Sequence, residues 1–164
     1  TLDILRNFSK NDAEIFSKVS KFRIYSNPYY FLPELEQIDF LKNTANIIFD
    51  DLLHLEEIGL ISTSSTLSIE ITGTNDSKRN DLYWFGEMGL VQIKEIECPA
   101  QSIQAFFFTK TAIELLPLIQ ASENEDYIRQ FAKQIKSTKL IMKFGRKQIL
   151  SDGQIVLKNT IDIE

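Results

Sequence analysis

Asp50-Asp51-Leu52-Leu53-His54-Leu55-Glu56-Glu57-Ile58-Gly59-Leu60-Ile61 and Phe106-Phe107-Phe108-Thr109-Lys110-Thr111-Ala112-Ile113-Glu114-Leu115-Leu116 are the two stretches that decide how this chain folds. The first reads as a short amphipathic helix over Asp50–Ile58 that begins with acid. Gly59 then supplies the left-handed position that ends a helix, and Leu60-Ile61 starts a strand. The second reads as a strand running into a helix capped by Thr109 or Thr111. Thr111 with Glu114 also has the spacing of a capping box. Strand-like segments fill the interval between the two stretches.

That order of helix, glycine stop, strands and capped helix predicts an α+β protein with a winged-helix-like core. Upstream, Leu2, Ile4, Leu5 and Phe8 suggest one short helix. Ser9 and Asp12 then box the start of a second, whose stripe is Ile15, Val19 and Phe22, with Phe16 beside it. Glu14 and Lys18 have the spacing of a surface pair. Asn27-Pro28 is expected to stop this helix, because the residue before proline is pushed out of the helical region. Tyr29–Leu32 is then extended or loop, and Leu35–Lys42 is a further helix.

Downstream, Leu67–Ile71, Leu82–Phe85, Leu90–Ile96 and Ile103–Phe108 alternate as strands, with Pro99 breaking the last two. Gly86-Glu87-Met88-Gly89 reads as a hairpin turn, and the polar run Thr72–Asp81 reads as a hairpin tip or wing. Pro117 must end or kink the helix after Thr111. Ser122 and Glu125 suggest a third capping box, before a helix carrying Ile128, Phe131, Ala132 and Ile135. A closing hairpin follows, turning at Ser151-Asp152-Gly153. The expected architecture is N-terminal helices, the winged-helix-like core with an extended antiparallel sheet, and a C-terminal helix and β-hairpin. Residues 1–121 would form the core, with 122–164 packed on the same domain.

Composition bounds the function. The 164 residues are 43% hydrophobic and 25% charged, with 12 Phe and 5 Tyr, so a sizeable aromatic core is expected. The single cysteine, Cys98, excludes an internal disulfide and fits a reducing, cytoplasmic setting. No apolar run approaches the roughly 20 residues of a membrane span. A first residue of Thr1 inside a helical pattern reads as the C-terminal piece of a longer protein. The net charge of −5 is unevenly spread: residues 1–98 carry 9 Lys/Arg against 16 Asp/Glu, and residues 99–164 carry 9 against 7. Tyr127–Ser151 holds seven basic residues and no acid.

Candidate chemistry is sparse. Asp50, His54 and Glu57 fall on one helical face and could touch a metal, but the remaining ligands of such a shell are not identifiable, so no metal or cofactor is expected. Cys98 has no partner pattern. There is no nucleophile elbow, and Gly86-Glu87-Met88-Gly89 lacks the lysine of a phosphate loop. The chain is therefore expected not to be an enzyme. A DNA-reading helix needs Arg, Lys, Asn or Gln, whereas the helix in that position offers Asp50, Asp51, Glu56 and Glu57, which phosphates would repel. These four acids instead suggest a site for a protein partner or for the chain's own N-terminal region. The alternative is nucleic-acid binding through Lys139, Lys143, Arg146 and Lys147 with the wing pair Lys78-Arg79. Tyr83-Trp84-Phe85 and Phe106-Phe107-Phe108 could stack on bases or peptides, or be covered on both faces of a sheet.

The opening Thr1–Glu14 with Phe16 and Phe22, the Asp51–Ile61 run, and Phe108-Thr109-Lys110-Thr111-Ala112 with Glu114-Leu115 together resemble the bacterial family catalogued as domain of unknown function 2806. Such sequences commonly have glycine where Ala112 stands. The resemblance implies a bacterial intracellular protein with no assigned catalytic residues. Similar hydrophobic patterns occur in abortive-infection proteins, a likeness of fold only.

Overall fold

A computed structural model describes residues 6–62, 68–71, 81–94, 101–135 and 140–163. Helix α1 (Lys10–Ser20) is followed by strands β1 (Ile24–Ser26) and β2 (Tyr29–Pro33), then α2 (Phe49–Glu57), β3 (Ile61–Ser62) and β4 (Ser68–Ile71). Strands β5 (Asp81–Phe85), β6 (Met88–Lys94) and β7 (Gln101–Phe108) precede α3 (Lys110–Leu115) and α4 (Glu125–Ile135). Strands β8 (Leu140–Ile149) and β9 (Ile155–Ile163) close the chain. The protein is α+β, as its patterning indicates. Every strand pair is antiparallel, in the order β3-β7-β2-β1-β5-β6-β8-β9, with β4 also pairing β7.

The two deciding stretches meet in space. Gly59 has φ +75°, Leu60 N donates to Leu55 O at 2.8 Å, and Gly59 N donates to Glu56 O at 2.9 Å. That pair of bonds is the Schellman closure which glycine permits. Ile61 of β3 then pairs with Phe108 at the end of β7. Thr109 fastens the junction: its N–H donates to Leu60 O at 3.0 Å and its hydroxyl to Gly59 O at 2.8 Å. The same hydroxyl accepts from Ala112 N at 3.3 Å, so Thr109, rather than a Thr111–Glu114 box, caps α3. Pro117 ends that helix in a 3₁₀ turn, Leu116–Leu118.

Helix α4 packs its apolar face on the sheet. Tyr127, Ile128, Phe131, Ala132 and Ile135 are buried. The Phe131 ring lies 6.2 Å from Phe31, 5.3 Å from Tyr83 and 5.6 Å from Phe85, drawn from β2 and β5. Phe108, facing the other way from Phe107, meets Phe16 of α1 edge-on at 6.5 Å. One buried cluster thus runs from Phe16 to Ile163 and includes residues on both sides of position 121.

Several local expectations need correction. Helix α1 ends at Ser20, not at Asn27-Pro28; Ile24 and Tyr25 pair with Phe31 and Tyr30, and the cis Asn27-Pro28 peptide sits in the turn of that hairpin. β-branched and aromatic side chains gain more from the pleated surface than from another helical turn. Leu35–Lys42 is not one helix but a 3₁₀ turn at Leu35–Gln37 and a π turn at Phe40–Thr44, separated by an extended Ile38. Asn124, not Ser122, accepts from Tyr127 N and starts α4. Glu14 pairs with Lys10 instead of Lys18. Residues 72–80 of the polar run expected as a hairpin tip or wing lie outside the described residues; of the strands on either side, β4 pairs with β7 and β5 with β1 and β6. The expectations for Leu2, Ile4, Leu5, the wing pair Lys78-Arg79, Cys98, Pro99 and Lys139 lie outside the described residues.

Candidate interaction surfaces

Helices α1 and α2 are joined by two carboxylates. At the start of α1, Ser9 and Asp12 form the reciprocal capping box: Ser9 N donates to Asp12 Oδ2 at 2.8 Å, and Asp12 N donates to Ser9 Oγ at 3.1 Å. Asp12 Oδ1 also meets His54 Nε2 of α2 at 2.6 Å. The backbone N–H of Ser9, and next the His54 side chain, favour the charged carboxylate, so the Asp12 pKa lies below its ordinary 3.8. In α2, Asp51 accepts from Ile48 N at 3.0 Å and from Lys18 Nζ at 2.6 Å. Asp51 therefore caps its own helix and pins it to α1.

This geometry divides the acidic quartet. Asp51 is buried and engaged internally, so it does not belong on an outer binding face. Asp50 and Glu57 are exposed, and Glu56 is half-buried. His54 is not merely exposed: it is half-buried and turned to Asp12, away from any joint site with Asp50 and Glu57. Among the described residues no group of three or more His, Cys, Asp or Glu side chains is placed to hold a metal ion.

Beside Asp50 lies a feature that charge counting misses. Ile48, Phe49 and Leu53 are 50%, 54% and 39% exposed. Phe49 and Leu53 lie one turn apart on α2, so they form one patch. A cavity of about 320 Å³ opens next to it, lined in part by Leu35, Ile48, Phe49 and Phe106, with Glu34, Glu36 and Lys42 among its walls, Lys42 paired to Glu36 at 3.0 Å. The signal was present in the apolar run Ile47-Ile48-Phe49, which enters α2 directly. Only Ile47 of the three is buried.

Two of the basic C-terminal residues face carboxylates. Lys143 Nζ lies 3.3 Å from Asp162, and Arg146 Nη1 lies 3.5 Å from Glu123. Lys147 Nζ sits 5.7 Å above the Trp84 ring, and Arg129 stands 5.0 Å from the Phe144 ring centre. Lys143 and Lys147 are half-buried, whereas Arg146 is exposed. Of the proposed nucleic-acid set, the structure brings Lys143, Arg146 and Lys147 onto one strand, β8; Lys143 and Arg146 face carboxylates, whereas Lys147 faces the Trp84 ring.

No helix among the described residues is long and apolar enough to cross a membrane. The family model described as "Protein of unknown function (DUF2806)" matches residues 1–132, most of the chain. No curated protein and no solved structure matches at a significant level. The chain belongs to the DUF2806 family.

Proposed function

We propose that this DUF2806 member is a non-enzymatic interaction module of the cytoplasm that docks a protein partner on the N-terminal turns of α2. The observation that carries this reading is the exposed patch of Ile48, Phe49 and Leu53 beside Asp50 and Glu57. Isolated exposed apolar residues are ordinary, but three together, two of them lining a cavity, mark a surface that gains from being covered. The acidic rim sets the partner's chemistry: a segment carrying apolar anchors with Lys or Arg beside them. Apolar burial would supply affinity and the charges orientation and on-rate. In a winged-helix-like reading, α2 stands in the recognition position, and its acid turns that position from nucleic acid toward basic protein.

The test is quantitative affinity capture with the native chain and with the double variant Phe49→Asp/Leu53→Asp. Captured proteins are then titrated against both by calorimetry. A partner that binds the native chain and loses at least tenfold in affinity for the variant, and also for Asp50→Lys/Glu57→Lys, supports the reading. Partners that bind all three forms equally well overturn it. Circular dichroism of each variant separates loss of the surface from loss of the fold.

A further inference from the structure

On the sheet face opposite α4, three aromatic residues stand in one cross-strand row. Tyr30 of β2 pairs with Tyr25 of β1, and Tyr25 pairs with Trp84 of β5. Their neighbours Phe31, Ile24, Tyr83 and Phe85 are buried in the core, so by strand alternation the row faces outward. The row continues across the sheet as Trp84, Gly89 and Gly145, residues paired in register. The missing side chain lets the indole lie flat on Gly89: a Cβ there would stand 2.7 Å from Trp84 Cζ3 and 2.5 Å from Leu157 Cδ2, so both side chains close over that glycine. At Gly145 the space is taken by Lys158 O, 2.7 Å from where a Cβ would lie. Tyr25 and Tyr30 are themselves close, with ring centres 4.6 Å apart.

A cleft of about 320 Å³ opens over this row, near the lower end of small-ligand sites. Two cations reach it. Lys147 lies over Trp84, and Arg23 is held by donating to Ser20 O at 2.9 Å and Ile119 O at 2.8 Å. Those two bonds leave Arg23 with further N–H protons. Glu87 also lines the cleft, so the cationic excess is one charge. We propose that the Tyr30–Tyr25–Trp84 row, with Lys147 and Arg23, binds an unpaired nucleobase bearing a phosphate. The base stacks on the aromatic row and the phosphate lies toward the two cations. Stacking tolerates any base because every base has a π-face, and a duplex, whose bases are already stacked, cannot enter. This site is separate from the α2 surface and uses only Lys147 of the basic set considered above.

The chain has one tryptophan, so its fluorescence reports the cleft directly. The full chain is titrated at low and moderate salt with adenosine monophosphate, a single-stranded oligouridylate, a blunt duplex and a proline-rich peptide. Saturable quenching by the single strand is expected. Tyr30→Ala should weaken it roughly five- to 150-fold, the loss of one base–aromatic stack. Lys147→Glu should weaken it too and flatten its salt dependence, whereas Lys158→Glu on β9, and Phe49→Asp/Leu53→Asp, should leave it unchanged. Equal affinity for the mononucleotide and the strand would assign the site to free nucleotides; a much tighter strand would assign it to single-stranded nucleic acid. Absence of quenching at low salt, indifference to Tyr30→Ala, equal binding of the duplex, or quenching by the proline-rich peptide alone would each overturn the proposal.

Discussion

Tyr127 shows how much one buried polar atom can decide. Its ring is wedged among Phe22, Phe40 and Phe85, and its hydroxyl donates to Phe22 O at 2.8 Å. Tyr127→Phe keeps the ring but orphans that carbonyl, an expected loss of about 1–3 kcal/mol in denaturant unfolding. Burial also pushes the phenol pKa well above 10.0. The folded state therefore holds the proton more tightly than the unfolded state. Stability is full below about pH 10 and falls as pH rises beyond it, a decline that Tyr127→Phe should blunt. Asp12 has the opposite sign. Its folded pKa lies below 3.8, so its contribution is present at neutral pH and is lost as pH falls below about 4. Asp12→Asn should be less stable than the native chain at pH 7 and converge toward it in acid; parallel stability curves across that range would refute the role of the Ser9 and His54 bonds.

At the scale of elements, Thr109 joins two pieces remote in sequence. It ties the Gly59 turn after α2 to the start of α3 and caps that helix. Thr109→Ala should cost about 0.5–2 kcal/mol, the usual range for a lost N-cap. Thr109→Ser should recover most of it, as measured by the thermal midpoint. Elements such as this one were legible in the sequence because their signals are local: glycine after α2, Ser9 with Asp12, the apolar stripe of α4, and the Ser151-Asp152-Gly153 turn. What was not legible depended on partners distant in the chain. Ile24–Ser26 becomes a strand only because Tyr29–Phe31 and Trp84 lie alongside it. Asp51 leaves the outer face because it caps its own helix at Ile48 N and because Lys18 approaches from α1. The aromatic row and its cleft were invisible for the same reason. Tyr25, Tyr30 and Trp84 are assembled by strand order and by the glycine beside the indole, neither of which a linear pattern records.

At the scale of the molecule, the question is whether the last part of the chain, α4 with β8 and β9, is an appendage or a structural necessity. The family match ends at residue 132, inside α4. Yet Tyr127, Ile128, Phe131, Ala132 and Ile135 are fully buried, Phe131 and Tyr127 against rings from β2 and β5, and β8 covers the full length of β6. Removing everything after residue 121 would strip the cover from Phe31, Tyr83 and Phe85 and bare β6 as a long apolar edge, a template for aggregation. Each of those rings would lose roughly 1.5–3 kcal/mol of burial, and together they approach the whole stability of a domain of this size. Residues 1–121 alone should therefore lack a cooperative thermal transition and associate in sedimentation, while the full chain unfolds in one step. A monomeric 1–121 fragment that unfolds cooperatively would show that the N-terminal helices and β1–β7 form a self-sufficient core. The C-terminal segment would then be free to serve the nucleobase cleft through Lys147 rather than the fold.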